Sequence, residues 1–448
     1  MIVFTVLFAV VAAPGARAQQ GAPEKRIERA VTLIQDNRIA EAEQQLNYIL
    51  KDSPNDASAL NLLGTVRAKQ GRLNEAETFF SRAVRADTQL IGARMNLAYL
   101  YLLKGAPEKT ATELKEVLRL DPNNAEATYK LAWLLLSQGR LDECIDFINK
   151  AEQSHLMSAP LLAVLGDAHL KKGHVDKAGE SYLRALKEQS GNADALIGLA
   201  AVSQARGDGK NAALYLERAK GVIFNSPDLL YKFALVALNS QSNADAMLAL
   251  KRAIELRPTE PSYYFILGVT WLKKPDIQEA EQSFRQSLKL RPENASAQMY
   301  LGYTLLKQKK ISEAREWLEK SIRKDAGTPE TYYYLGLIAQ EQNEDEQAIK
   351  LFEKAIQLSA SFANAHIALG STYLKLKNYP RAQQELETGV KLNPTDSKAH
   401  YNLALLYARL KNPKRAQAEM RIVEKLKSTG KAQEKEDDTP APSTPDPR

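Results

Sequence analysis

Residues Pro261 to Asn294 read PSYYFILGVTWLKKPDIQEAEQSFRQSLKLRPEN. Tyr264, Leu267, Gly268 and Trp271 stand at spacings of three, one and three, and Ala280, Phe284 and Pro292 follow. The pattern predicts a helical hairpin in which the small Gly268 packs against a second small residue, Ala280. Two helices approach closely only where the residues between their axes are small. Thirty-four residues cannot bury both faces of such a hairpin, so the stretch needs copies of itself on either side.

The copies are present. A 34-residue frame starts at Pro23 and continues at Ala57, Ile91, Ala125, Ala159, Ala193, Pro227, Pro261, Ala295, Pro329, Ala363 and Ser397, twelve repeats without insertion or deletion. Position 8 of every repeat is Gly or Ala, from Ala30 and Gly64 to Gly370 and Ala404. Position 20 is Ala in ten repeats and Thr110 or Cys144 in the other two. Pro54, Pro122, Pro258, Pro292 and Pro394 close their repeats, where proline blocks continuation of the second helix.

Over residues 23 to about 430 the chain resembles the tetratricopeptide-repeat (TPR) family. The resemblance implies an all-α fold, a right-handed superhelical solenoid of antiparallel helix pairs, with the first helix of each pair lining a concave side. The ends suit such an array. Arg29 holds position 7, which is Leu or Phe233 in every later repeat, and Arg26 adds a second charge to a helix with no preceding neighbour. The last helix, near Pro413 to Lys427, spreads Arg415, Glu419, Arg421, Glu424 and Lys425 around its surface as a polar cap. Two junctions depart from the pattern: QSHLMSAP at 153–160 and KGVIFNSP at 220–227 are apolar where other repeats are polar. Local repacking is the plain reading, and a bend or an exposed contact the functional one.

Outside the repeats, residues 1–18, MIVFTVLFAVVAAPGARA, resemble a signal peptide that ends in a small-x-small triplet. Its apolar run, Met1 to Ala13, is short of the roughly twenty residues that a membrane-spanning helix needs. The positive charge expected at its start is missing, so an uncleaved amino-terminal segment is the alternative and the only expected link to a membrane. Residues 431–448, KAQEKEDDTPAPSTPDPR, are charged and proline-rich with no large apolar side chain, which predicts disorder.

Composition narrows the class. Hydrophobic residues are 44% and charged residues 26%, an ordinary soluble balance, and the net charge of +7 is modest for 448 residues. The single cysteine, Cys144, excludes an intramolecular disulfide and the paired-cysteine zinc and redox motifs, and it does not oppose export. No catalytic constellation emerges. His-Glu-x-x-His, Gly-x-Ser-x-Gly and phosphate-cradling loops are absent. His366 and His400 occupy one repeat position, and His169 another, where packing residues belong. Repeats fill nearly the whole chain, so neither an enzyme, a metal site nor a cofactor is expected.

The first helices carry more information. Positions 5, 9 and 12 form an i, i+4, i+7 stripe. It supplies Tyr99, Tyr129 and Trp133 as one candidate partner-binding cluster and Tyr231, Phe265, Val269, Tyr303 and Tyr333 as a second, with Tyr401 in the last repeat. Apolar residues at position 9 depart from the asparagine that the family often has there. Rigid aromatic surfaces in a concave setting are what peptide anchors need. Packing on the adjacent first helix is the simpler role for the same side chains. Position 13 adds Lys171, Lys273, Lys307 and Lys375 as a basic rim. The Lys and Asn pair with which some family members grip a carboxylate tail is missing. The asparagine ladder of the sugar-transferring members survives only as Asn96 and Asn402.

These features predict a non-enzymatic scaffold or assembly factor that binds peptide or helical segments of other proteins, exported to the periplasm or beyond in a bacterial cell envelope. Two alternatives remain at this point. One is a solenoid for nucleic acid, which the export signal disfavours and which needs basic residues along the groove. The other is an accessory subunit of an envelope glycosyltransferase or secretion complex.

Overall fold

The computed structural model describes residues 22–428. The expected signal peptide at 1–18 and the charged tail at 431–448 lie outside the described residues. Every regular element among those described is a helix, and the chain divides into two compact halves, residues 1–224 and 225–448.

The first half holds α1 (Ala22–Gln35), α2 (Ile39–Asp52), α3 (Ala57–Lys69), α4 (Leu73–Ala86), α5 (Ile91–Leu103) and α6 (Pro107–Leu120). It continues with α7 (Ala125–Ser137), α8 (Leu141–Gln153), α9 (Ala159–Lys171), α10 (Val175–Glu188), α11 (Ala193–Ala205) and α12 (Gly209–Lys220). In the second half are α13 (Pro227–Asn239), α14 (Asn243–Leu256), α15 (Pro261–Lys273), α16 (Ile277–Leu290), α17 (Ala295–Lys307) and α18 (Ile311–Lys324). The remaining helices are α19 (Pro329–Glu341), α20 (Asp345–Leu358), α21 (Ala363–Lys375), α22 (Tyr379–Leu392), α23 (Ser397–Arg409) and α24 (Pro413–Ser428). Each odd-numbered helix packs antiparallel against the next, and within a half each pair packs on its successor, which makes an all-helical solenoid.

Local signals explain these boundaries. Asp56, Asn124, Asn192, Asn294 and Asp396 cap first helices by accepting a hydrogen bond from the backbone N–H three residues on. Between the helices of eleven pairs, the residue at position 15 is left-handed, with φ from 57° to 76°. Five of these are glycines, which adopt that conformation without steric penalty.

Packing within a pair adds to one expectation. Position 8 does meet position 20 where Gly302 faces the Ala314 carbonyl and Ala132 the Cys144 thiol, but a Cβ on Gly268 would sit closest to the ring of Phe284, at 2.6 Å. Gly64 meets Phe80 at 2.6 Å in the same way. Position 8 is therefore small to admit the side chain at position 24, one further turn along the second helix. Every repeat with an aromatic residue at position 24 (Phe80, Tyr182, Phe284, Phe352) has glycine at position 8, whereas Ala98, Ala132, Ala200 and Ala234 face Leu or Ile. The four rings are fully buried. Truncating one to alanine costs on the order of 3–5 kcal/mol.

Polar ties join successive repeats along the turns. Gln70 Nε2 donates to Glu43 at 2.8 Å, Gln138 to Glu108 at 3.0 Å and Arg206 to Asp176 at 2.6 Å. In the second half Gln308 and Lys310 both donate to Glu281, at 2.8 and 2.9 Å. Burial alone would raise the Glu281 pKa, but hydrogen bonds from Lys310, Arg285 and Gln308 outweigh it and hold the carboxyl down to about 2. Exposed pairs of this kind add little stability each, so they act mainly on register.

At 153–160 the apolar residues turn inward: Leu156 and Met157 pack on the core, and His155 is left-handed. At 220–227 only Ile223 is buried, while Val222 and Phe224 are exposed, and the division between the halves falls just after Phe224.

Candidate protein-interaction surface

The stripe on the first helices separates by exposure. Tyr99 (7%), Phe265 (1%), Val269 (0%), Tyr303 (3%) and Tyr333 (6%) are buried, Tyr129 and Tyr231 are half-buried, and Trp133 (37%) and Tyr401 (46%) are exposed. The cause is lateral packing, since successive first helices touch within each half. The Phe265 ring lies 5.4 Å from Tyr300, Tyr303 lies 4.9 Å from Tyr334, and Tyr333 lies 5.2 Å from Phe362. These rings contribute mostly to the stack. Tyr231 stacks 5.4 Å from Tyr263, and its enclosed hydroxyl makes no hydrogen bond. Burial pushes that phenol's pKa up.

In the first half, α7 brings Tyr129 and Trp133 one turn apart. Lys130 Nζ sits 5.5 Å from the Tyr99 ring and 5.8 Å from the Tyr129 ring, a cation between two π faces. The Tyr99 hydroxyl donates to the Glu126 carboxylate. Burial first, and that carboxylate second, push the phenol's pKa up, so it remains a donor at neutral pH. Beside this group Ala98, Leu102, Leu114 and Trp133 line a small hollow. The arrangement is an exposed indole whose neighbours are fixed by packing and charge.

The second half has a cleft of about 280 Å³ lined by Tyr303, Leu306, Lys307, Lys309, Tyr334, Leu337 and Glu341. Lys307 lies over the Tyr303 ring at 5.4 Å, and Lys309 pairs with Glu341 at 2.8 Å. One expected aromatic residue and one expected rim lysine thus share a site. Lys171, Lys273 and Lys375 are not buried either, but Lys375 is tied to Asn343 at 3.0 Å and Asp345 at 2.8 Å. Asn96, at the ladder position, is fully buried and bonded to Asn61 at 2.9 Å.

Lys130 and Tyr334, both at position 6, belong to these two sites yet stand outside the stripe of positions 5, 9 and 12, although position 6 was legible in the repeat register. Among the described residues, no group of three or more His, Cys, Asp or Glu side chains is placed to hold a metal, and no helix is long and apolar enough to cross a membrane.

Comparison with known families gives repeated matches. The family model for the cytochrome c-type biogenesis protein H TPR domain matches residues 216–365. Three tetratricopeptide-repeat models match residues 27–91 and 164–228, 101–165 and 337–398, and 385–418. No curated protein matches the chain. Among solved structures it is similar to a chain of the APC/C hetero-tetramer Cut9–Hcn1, at 13% identity and TM-score 0.49, covering 93% of this chain and 96% of that one. A tetratricopeptide-repeat protein from Parabacteroides merdae matches at 20% identity and TM-score 0.48, over 55% of this chain and 98% of that one. Pseudomonas aeruginosa pilF matches at 19% and 0.42, over 46% and 95%. Likenesses this distant say nothing about what the chain binds. The unbroken frame, the twelve helix pairs and the repeated family matches agree, and the chain is a member of the tetratricopeptide-repeat family.

Proposed function

We propose that this protein is a non-enzymatic scaffold or assembly factor of a bacterial cell envelope, which holds peptide or helical segments of partner proteins against the face of its first helices. Tetratricopeptide repeats generally bind other proteins, and the biogenesis-protein model that matches residues 216–365 suits an assembly role. The leader-like pattern at 1–18 is the reason for placing it in the envelope.

One observation carries the site. Trp133 is 37% exposed at a repeat position where Tyr99, Val269 and Tyr303 are buried. An exposed, laterally supported indole is a common anchor of binding energy, and losing such an anchor costs about 2 kcal/mol or more. The anchor and its neighbours, Tyr129 and the cation of Lys130, make the first-half patch the primary contact. The Tyr303 cleft is the secondary one. Tyr303 itself is unsuitable for truncation, because removing a buried ring would open a cavity in the stack.

The test is capture of envelope proteins on immobilised wild-type chain, followed by titration of the captured partner against Trp133→Ala and Tyr129→Ala. Affinity is expected to fall about thirtyfold for Trp133→Ala. Unchanged affinity, with the helical circular dichroism intact, would sink the reading.

A further inference from the structure

On the second-helix side of the first half, α10, α11 and α12 enclose a cleft of about 330 Å³ that has no part in the first-helix surface. Its walls are two helical stripes. Asp176, Gly179, Glu180 and Leu183 come from α10, and Asp208, Asn211 and Tyr215 from α12 and its cap. Leu199 and Val202 of α11, with its C-cap Arg206, form the floor.

The repeat register shows what is unusual here. Gly179 is the only glycine at position 21, where nine other repeats carry a longer side chain such as Glu77, Ile145, Met247 or Arg315 and two carry Ala111 and Ala213. A Cβ added to Gly179 would meet Arg206 Nη2 at 3.4 Å and Val202 at 3.5 Å, ordinary contact distances, so a methyl would fit and the glycine leaves that space to the cleft. Glycine inside a helix is less stable than alanine, so packing does not explain the choice. Leu183 is the only apolar residue at position 25, which is polar or charged in the other eleven repeats, and it is 53% exposed. Leu214, next to Tyr215 on α12, is 55% exposed at another outward position. An open groove and two solvent-facing leucines thus fall on adjacent second helices.

Charge sets the ligand class. The lining holds three carboxylates, Asp176, Glu180 and Asp208, against one guanidinium, and Arg206 is bound to Asp176 at 2.6 Å. The backbone N–H of Asn211 is the largest of several contacts that lower the Asp208 pKa, so this carboxylate stays anionic. In a chain of net charge +7 this is a local reversal of sign. Asp176 and Asp208 lie at the end where α10 and α12 begin, and Leu183 lies seven residues along α10 from Asp176, about 10 Å at 1.5 Å per residue. A segment extended as a polyproline II helix has three residues per turn, so side chains three residues apart share one face at a spacing of about 9 Å.

We propose that this cleft is a second docking site, which takes an extended segment of a partner protein bearing an apolar side chain and, three residues away, a lysine or arginine. The apolar side chain enters between Leu183, Leu199 and Tyr215, and the cation meets Asp176 and Asp208.

The probe is a fluorescein-labelled pool of nine-residue peptides fixed at Leu-x-x-Lys, with a matched Leu-x-x-Glu pool, read by fluorescence polarisation against the full chain. The lysine pool is expected to bind at least tenfold more tightly. Leu183→Glu, which restores the polarity of the other repeats, and Gly179→Met, which fills the opening, should each weaken binding tenfold or more. Trp133→Ala should leave it unchanged, which separates this site from the first-helix surface. Equal binding of the two pools, absence of saturable binding, or insensitivity to Leu183→Glu with unchanged circular dichroism would each overturn the proposal.

Discussion

At position 4 of two consecutive repeats, His366 and His400 each hold two acceptors. His366 Nδ1 lies 2.6 Å from Glu385 and its Nε2 lies 3.2 Å from the Ala360 carbonyl, while His400 meets Glu419 at 2.6 Å and the Pro394 carbonyl at 3.1 Å. A carbonyl oxygen and a carboxylate only accept, so the arrangement around His366 is complete when both its ring nitrogens carry protons. The Glu385 hydrogen bond is the largest influence on His366 and raises its pKa above the ordinary 6.5, against burial and with help from Ala360. A folded-state pKa above the unfolded one stabilises the protein fully below the unfolded pKa, and that contribution disappears as pH rises through the folded one. Urea midpoints should therefore fall as pH rises from about 6 towards neutrality and above, and His366→Gln should flatten this slope. A slope unchanged by the substitution would refute the assignment. The sequence marked both histidines as packing residues, and they are buried. Their partners were not legible, because the glutamates stand 19 residues away on the second helix and only the pairing of helices brings them together.

At the level of the element, the first helix of every repeat from the second to the twelfth begins at the residue that opens the 34-residue frame. Caps, prolines and the apolar period are local signals, so helix boundaries could be read from the sequence alone. What lay against what could not. Gly268 and Ala280 are both small, yet the glycine makes room for Phe284, because helix direction carries the position 24 ring back over position 8. The turns offer a test of backbone strain. Lys377 is held at φ 60°, where a residue with a Cβ is disfavoured and five other repeats use glycine. Lys377→Gly should stabilise the protein by roughly 0.5–1 kcal/mol, strain relief less the greater entropy of the unfolded chain. The measurement is a thermal or urea midpoint, and a lower midpoint would count against strain at this turn.

For the molecule as a whole, repeat count and fold class were legible, because each repeat restates the same constraints. The groove was legible only in part. A stripe of aromatic residues reads the same whether it faces solvent or the next first helix, and the packing distance between helices decides between these. Neighbouring side chains, Phe284 and Tyr300 among them, bury Phe265, Val269 is buried as well, and Trp133 is left exposed. The division after Phe224 supplies a further prediction. Phe224 is 70% exposed in the segment between α12 and α13, so brief chymotrypsin treatment should cut there first and release two fragments, each helical by circular dichroism. Early cleavage elsewhere, or loss of helix on release, would count against a division after Phe224. The polar ties between repeats have one more consequence. Those from Gln70 to Glu43, Gln138 to Glu108, Gln308 to Glu281 and Lys375 to Asp345 join residues only 27 to 30 apart. None of these reaches beyond the adjoining repeat, so a gene segment coding for 34 residues can be duplicated or lost inside either half while the remaining joints keep their chemistry. The length of the protein is in that sense open to evolution in whole steps, and a new binding surface can arise in one copy while its neighbours hold the array together.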